Sequence, residues 1–165
     1  MSTTSTAAPV TVLLDATDDV AVTRAALAAH HPYAGRVTVH PAPATHDQGL
    51  ALDILTALGK PSGLPGHRGI HGSTAWNTAA AWILALSVTR LTVLRAHLLN
   101  AGALSRLLAL RKHTGVHLVA VCHARRLPTP MGTALRHVEH HTVFSDAAGD
   151  LLAPAPRTRC ATPRS

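Results

Sequence analysis

Three residues of catalytic type follow apolar runs that are typical of buried strands. Asp15 follows the run Val10–Leu14, and the pair Cys122-His123 ends the run that starts at Val116. In a parallel sheet, ligands bind beyond the carboxyl ends of the strands, where a thiol, an imidazole and a carboxylate could support hydrolysis. Neighbouring residues on a strand point to opposite faces, so Cys122 and His123 cannot simply hydrogen-bond to each other. The sequence therefore favours strand-end residues that are left over from a lost site and have no catalytic role, with a Cys-His-Asp hydrolase as the alternative.

The chain holds 13 histidines, some of which form clusters that could bind a metal ion. His67 and His71 lie in a Gly-rich segment, and His137, His140 and His141 follow a short predicted helix. A zinc site needs three or four ligands that converge with matching geometry, and neither cluster provides them by spacing alone. The sequence predicts solvent-exposed histidines here, with no metal and no other cofactor.

Basic residues outnumber acidic ones, and the formal net charge of +7 has its excess after residue 59. Such a surface could bind nucleic acid or an acidic protein, although a high-GC genome produces the same Arg excess. Nucleic-acid binders usually add aromatic side chains for stacking, and aromatics make up 2% of this chain. A sequence-independent phosphate-binding patch stays open as an alternative. Its candidate residues are Arg106, Arg111, Lys112, Arg125, Arg126 and Arg136.

Alternating apolar and amphipathic segments predict the elements that must position these residues. Strands are predicted at the runs that begin at Val10, Arg36, Leu91, Val116 and Thr142. Helices are predicted over 18–30 and 47–58, and from residues 73, 101 and 129 onward. Strands that alternate with helices indicate a mainly parallel sheet with helices on both faces, which is a three-layer α/β domain.

The ends of the chain differ in character from its centre. Residues 1–8 and 146–165 lack periodicity and are predicted as a disordered leader and a flexible Pro/Arg-rich tail around one domain at 9–145. The uncharged segment 72–89 is about long enough to span a membrane, but its Ser, Thr and Asn residues favour a buried helix. Cys122 and Cys160 form no disulfide framework, and the N-terminus lacks the features of a signal peptide. We therefore expect a cytoplasmic protein with no membrane partner.

The order of these elements, β-α-β-α-α-β-α-β-α-β, is similar to that of an AAA+ ATPase core. The segment from Leu91 to Leu99, Leu-Thr-Val-Leu-Arg-Ala-His-Leu-Leu, resembles the Walker B segment of transposition-associated AAA+ ATPases, a hydrophobic strand followed by Asp-Glu-Ala-His/Gln-Leu-Leu. The segments 104–110 and 114–119 resemble that family's next helix and its sensor-1 strand, and 50–59 resembles an upstream helix. The resemblance implies a P-loop-like, five-stranded sheet in the order 5-1-4-3-2. Other doubly wound folds share the alternation and stay open as an alternative.

The residues that would bind and hydrolyse nucleotide depart from this family. A P-loop needs glycines, a Lys and a Ser or Thr around the phosphates, but the loop after the first strand places Asp15, Asp18 and Asp19 there. These carboxylates would repel a polyphosphate. At the Walker B positions, Leu94 replaces the Asp that orders magnesium, and Arg95 replaces the Glu that polarises water. The resemblance therefore implies a degenerate ATPase core that does not hydrolyse ATP.

Lost chemistry on a retained scaffold predicts a non-catalytic, ATPase-like protein that docks on another protein or on a DNA-bound complex. The context implied is a mobile element or another DNA transaction. An active ATPase or a second copy of the chain is the expected protein partner. The alternatives are the small hydrolase that uses Asp15, Cys122 and His123, and a non-specific basic DNA-binding domain.

Overall fold

The computed structural model describes residues 9–42, 47–60, 72–147 and 149–152 of the 165-residue chain. Its strands are β1 (Val10–Leu14), β2 (Arg36–Val39), β3 (Arg90–Val93), β4 (His117–Cys122) and β5 (His140–Phe144). Its helices are α1 (Val20–Ala28), α2 (Asp47–Ala57), α3 (Gly72–Ala85), α4 (Ala101–Thr114), α5 (Thr129–Leu135) and α6 (Gly149–Leu152). The strands pair in parallel in the spatial order β2-β3-β4-β1-β5, which is the order 5-1-4-3-2 expected from the sequence.

The two strands at the centre of the sheet are apolar along nearly their whole length. All residues of β1 are buried, and β4 is buried from Leu118 onward. A central parallel strand is covered on both faces, and for this reason such strands have continuous apolar runs in place of alternating ones. The edge strand β5 is mostly exposed.

The direction of each crossover decides which face of the sheet its helices cover. The connections from β2 to β3, from β3 to β4 and from β4 to β5 advance in one direction, and the connection from β1 to β2 runs back. Right-handed crossovers therefore place α2 to α5 on one face and α1 on the other. Ile83 of α3 and Leu107 of α4 belong to the core of the first face. Val22 and Ala26 of α1 pack with Leu13 on the second face, which completes three layers.

Some helices and strands begin or end at residues other than those predicted from the sequence. α1 begins at Val20 and not at Asp18, because the Asp19 side chain caps the helix by accepting a first-turn N–H at 2.8 Å. Leu94 lies in the turn after β3 and not within the strand. The packed part of the chain also reaches beyond residue 145, since α6 places Leu152 in the core beside α1.

Some of the sequence predictions fall on residues outside the described part of the chain. These are the leader at 1–8, the tail from residue 153 onward, the pair His67 and His71, and Cys160.

The uncharged segment forms α3, whose Ala75, Ala79 and Ile83 are buried. Within the described residues, no helix combines the length and the hydropathy that crossing a bilayer requires.

Candidate functional site

Strands β1 and β4 end side by side at the centre of the sheet. Leu14 pairs with Cys122 in their register, so the next residues, Asp15 and His123, leave the strands at the same level. The Asp15 backbone N–H donates to the Cys122 carbonyl at 2.9 Å and extends the pairing by one step. The connections after β1 and β4 turn to opposite faces of the sheet, which opens the crevice where ligands usually bind in such folds. Asp15 and His123, both predicted at this edge, lie together there.

The Asp15 carboxylate is fully buried and is held by the loop that follows β1. Its Oδ1 accepts the Thr17 backbone N–H at 3.4 Å and the Thr17 hydroxyl at 3.2 Å. Its Oδ2 accepts the Asp19 backbone N–H at 2.7 Å. A buried carboxylate is costly unless such donors replace water, so these contacts fix both the side chain and the turn. The N–H groups of the turn consequently point inward at Asp15.

His123 bridges two carboxylates. Its Nδ1 lies 3.2 Å from Asp15 Oδ2 and 3.1 Å from Asp18 Oδ1. A protonated Nδ1 donates to both oxygens, one of them fully buried and the other on a side chain that is 59% exposed. Asp18 reaches this position from a left-handed backbone with φ 51°. We call Asp15, Asp18 and His123 the strand-end cluster.

His97, in the turn after β3, holds His123 from the side. The His123 backbone N–H donates to His97 Nδ1 at 3.3 Å, and the rings meet edge to face with centroids 5.6 Å apart. Burial is the main cause that lowers the pKa of His97. The neighbouring His123 and Arg95 lower this pKa further, and the Asp18 charge raises it. An Nδ1 that accepts a hydrogen bond is unprotonated, which agrees with a lowered pKa. The sequence interpretation gave His97 no role, although its place just after a predicted strand is a signal that points to it.

Leu94 and Arg95 occupy the turn after β3, where the resemblance predicts that two carboxylates of Walker B have been lost. Leu94 is 1% exposed and packs in the core beside α1. Arg95 is exposed and has a left-handed backbone with φ 51°. Neither side chain offers an oxygen ligand for a magnesium–nucleotide complex.

Cys122 lies on the opposite face of the sheet from His123, as the alternation along β4 predicts. It is fully buried, its Sγ lies 3.6 Å from Met131 Sδ, and burial raises the pKa of its thiol to about 12. A thiolate nucleophile needs a lowered pKa and access to substrate. The geometry therefore separates the thiol from the Asp15–His123 pair and removes the nucleophile from the hydrolase alternative.

The six basic candidates for nucleic-acid contact are spread over both ends of the sheet. Lys112 lies in the last turn of α4 near the amino end of β4, whereas Arg125 and Arg126 follow the carboxyl end of β4. A strand of this length separates them by roughly 20 Å. Arg111 is 8% exposed, and burial lowers its pKa while the Glu139 charge acts against that change. The exposed candidates are Arg106, Lys112, Arg125, Arg126 and Arg136.

The histidines at 137, 140 and 141 do not converge on one point. His140 Nδ1 donates to the Val138 carbonyl at 2.9 Å, and His141 follows on β5, where neighbours point to opposite faces. Among the described residues, the group of at least three His, Cys, Asp or Glu side chains whose donor atoms all lie within 4.8 Å of one another is the strand-end cluster. This convergence was not predictable from spacing, because it depends on the strand order and on the turn at Asp18.

The fold and the site define a three-layer α/β domain with a polar cluster at the carboxyl edge of its central strands. No known protein-family model and no curated protein sequence matches this chain. The likeness to AAA+ ATPases is therefore one of residue patterns and strand order.

Proposed function

We propose that this protein is a non-catalytic, ATPase-like interaction protein that neither binds nor hydrolyses ATP. The observation that carries the proposal is the loop after β1, whose own carboxylates accept its backbone N–H groups. The protein then acts through the surface of the scaffold and not through chemistry at the strand ends.

A phosphate-binding loop leaves its backbone N–H groups available to the ligand. Here Asp15 accepts the N–H groups of Thr17 and Asp19, and Asp19 accepts that of Ala21. A phosphate that entered this turn would have to displace hydrogen bonds that already satisfy the donors. It would also meet Asp15, Asp18 and Asp19, and two like charges about 4 Å apart repel by roughly 4 kcal/mol at the dielectric typical of a protein surface. This loop opposes nucleotide binding by both effects.

The turn after β3 supports the same proposal from the metal side of the complex. ATP binds as a magnesium complex, and magnesium is held by oxygen ligands such as carboxylates. Leu94 is buried and apolar, and the Arg95 guanidinium repels a divalent cation. Neither of these two side chains can therefore position the magnesium ion or activate a water molecule.

The rest of the scaffold supports a role in binding. The strand order is the one that the resemblance implies, and the helices cover both faces of the sheet with packed cores. The class of partner follows from the resemblance to transposition-associated ATPases. We propose an active ATPase, a second copy of the chain or a DNA-bound complex as that partner.

The proposal is tested by thermal unfolding and phosphate release, each measured with and without ATP and Mg²⁺. We expect an unchanged Tm and no magnesium-dependent turnover, with an intact AAA+ ATPase as the positive control. Nucleotide at 100 times its Kd would add about 2.7 kcal/mol to the free energy of unfolding, which is a rise of several degrees in Tm. Such a rise, or turnover that depends on magnesium, would overturn the proposal.

A further inference from the structure

We propose that the strand-end cluster binds one divalent first-row transition ion of the Zn²⁺ type. The ligands are the carboxylates of Asp15 and Asp18 and the imidazole Nδ1 of His123. This inference goes beyond the proposed function and does not depend on it. It also departs from the sequence prediction, which expected no metal site.

The distances within the cluster suit ligands that share one ion. His123 Nδ1 lies 3.2 Å from Asp15 Oδ2 and 3.1 Å from Asp18 Oδ1, and all three donor atoms lie within 4.8 Å of one another. Tetrahedral bonds of about 2.0–2.2 Å to a zinc ion place neighbouring ligand atoms about 3.3–3.6 Å apart. An ion can therefore replace the Nδ1 proton between the two carboxylates with little movement of the side chains.

The donor set and its charge select the kind of ion. Imidazole nitrogen suits zinc and other first-row transition ions, whereas magnesium and calcium prefer oxygen ligands alone. Two carboxylates and a neutral imidazole carry a charge of about −2, which a divalent ion neutralises. The thiol of Cys122 is also near these strand ends, but it contacts Met131 and takes no part in the cluster.

Neighbouring groups hold two of the three ligands in place. The Thr17 and Asp19 donors fix the Asp15 carboxylate, and His97 accepts the backbone N–H of His123. Hydrogen bonds of this kind typically orient the ligands of a metal ion. Asp15 is fully buried at the base of the cluster, while Asp18 is 59% exposed at its rim. The rim gives the ion a path from solvent and leaves room for water to complete the coordination.

The test is a Zn²⁺ titration of the full-length protein against a chromophoric chelator, with Co²⁺ absorption as a second readout. Because the chain has 13 histidines, variants must show which residues bind. Asp18→Asn and His123→Gln are each expected to weaken one tight equivalent by at least about 10-fold. The control replaces His137 and His141 with Gln, since both are exposed and lie outside the cluster. Asp18 is also exposed, so its variant keeps the fold, which urea unfolding of each variant verifies.

The outcomes separate cleanly. One tight equivalent that is weakened in Asp18→Asn and His123→Gln but kept in the control supports the site. Binding that every variant retains, binding that the control also loses, or no tight binding by the wild-type chain overturns it. Since no nucleotide is present, the result is independent of the ATP test.

Discussion

At the scale of single residues, Asp15 joins the end of the central strand to the shape of the turn that follows. Its carboxylate accepts three hydrogen bonds from Thr17 and Asp19 and also lies against His123. The same contacts support the proposed closure of the turn to phosphate and bring Asp18 close to His123. The buried Asp15 carboxylate is therefore central to both proposals, the closed turn and the metal site.

Asp15→Ala is predicted to lower the free energy of unfolding by about 3 kcal/mol, because buried donors and an imidazole lose their acceptor. Urea unfolding measures the change. Asp146→Ala is the matched control: Asp146 is exposed, and its removal should stay within about 0.5 kcal/mol of wild type. Equal stability of the two variants would contradict the structural role of Asp15.

Two histidines make the fold sensitive to acid. Burial is the main cause that lowers the pKa of both His97 and His117, and His117 lies 2.9 Å from the Thr11 hydroxyl. Between the lowered folded pKa and the unfolded value near 6.5, the unfolded chain binds more protons, so stability falls as pH falls. Each group contributes at most about 1.4 kcal/mol per pH unit. Urea unfolding at pH 7.5 and 5.5 should show a smaller loss for His97→Gln than for wild type, and an equal loss would contradict this cause.

At the scale of elements, the strands and most helices were predictable because their patterns reflect burial. The run Val10–Leu14 is apolar throughout, as a strand covered on both faces must be. Asn100 caps α4 by accepting the Ala103 N–H at 2.8 Å, and Gly115 ends the helix with φ 72°, both of which are local signals. α6 was not predictable, since four residues carry no periodicity and their position depends on packing against α1.

The candidate site was predictable only in part. Asp15 and His123 each follow an apolar run, so the sequence places both at the same edge of a parallel sheet. Asp18 approaches His123 because its backbone is left-handed, which is uncommon for a residue other than glycine. No local sequence pattern predicts this conformation. His97 joins the site by accepting a hydrogen bond from the backbone of His123, which follows a different strand. Such contacts follow from tertiary structure and not from residue spacing.

Gly35 connects the start of β2 to the turn before β3. Its φ is 72°, its carbonyl accepts the N–H groups of Thr89 and Arg90 at 2.8 and 3.0 Å, and an added Cβ would lie 2.9 Å from the Ser87 carbonyl oxygen. Gly35→Ala is predicted to cost about 2 kcal/mol or more from backbone strain and the clash. Gly115→Ala is the control, because it has the same φ with no atom within 4 Å, and should cost about 1 kcal/mol. Equal losses in chemical denaturation would contradict the clash.

At the scale of the whole molecule, the core on the α1 face includes a segment that the sequence assigned to the tail. Leu152 is 4% exposed and packs with Leu13 and Val22 on the α1 face. Leu152→Ala is predicted to lower the free energy of unfolding by about 2 kcal/mol, as for other buried leucines. Leu84→Ala, at a side chain that is 52% exposed, should change it by less than about 0.5 kcal/mol. Similar midpoints for the two variants would place the domain boundary before α6.

The molecule as a whole combines a three-layer scaffold with strand-end loops that we propose are unsuited to ATP. The described residues form right-handed crossovers, packed cores on both faces and the strand order that the resemblance implies. The residues that differ from the ATPase pattern lie at the ends of β1 and β3, where Asp15 and Asp19 accept backbone N–H groups of their own loop and Leu94 and Arg95 form a turn. The proposed role in binding a partner rests on this combination.

The most direct measurement of the central claim follows the backbone amides of Thr17 and Asp19 by NMR while ATP and Mg²⁺ are titrated into the full-length protein. We predict that both resonances stay in place, because Asp15 already accepts these two N–H groups. The Gly115 amide, which lies just before β4 at the amino ends of the strands, serves as the reference. Saturable shifts of the Thr17 and Asp19 amides that require ATP and are absent with Mg²⁺ alone, with an unmoved reference, would show that the loop binds nucleotide, and would contradict the proposed closure of the site.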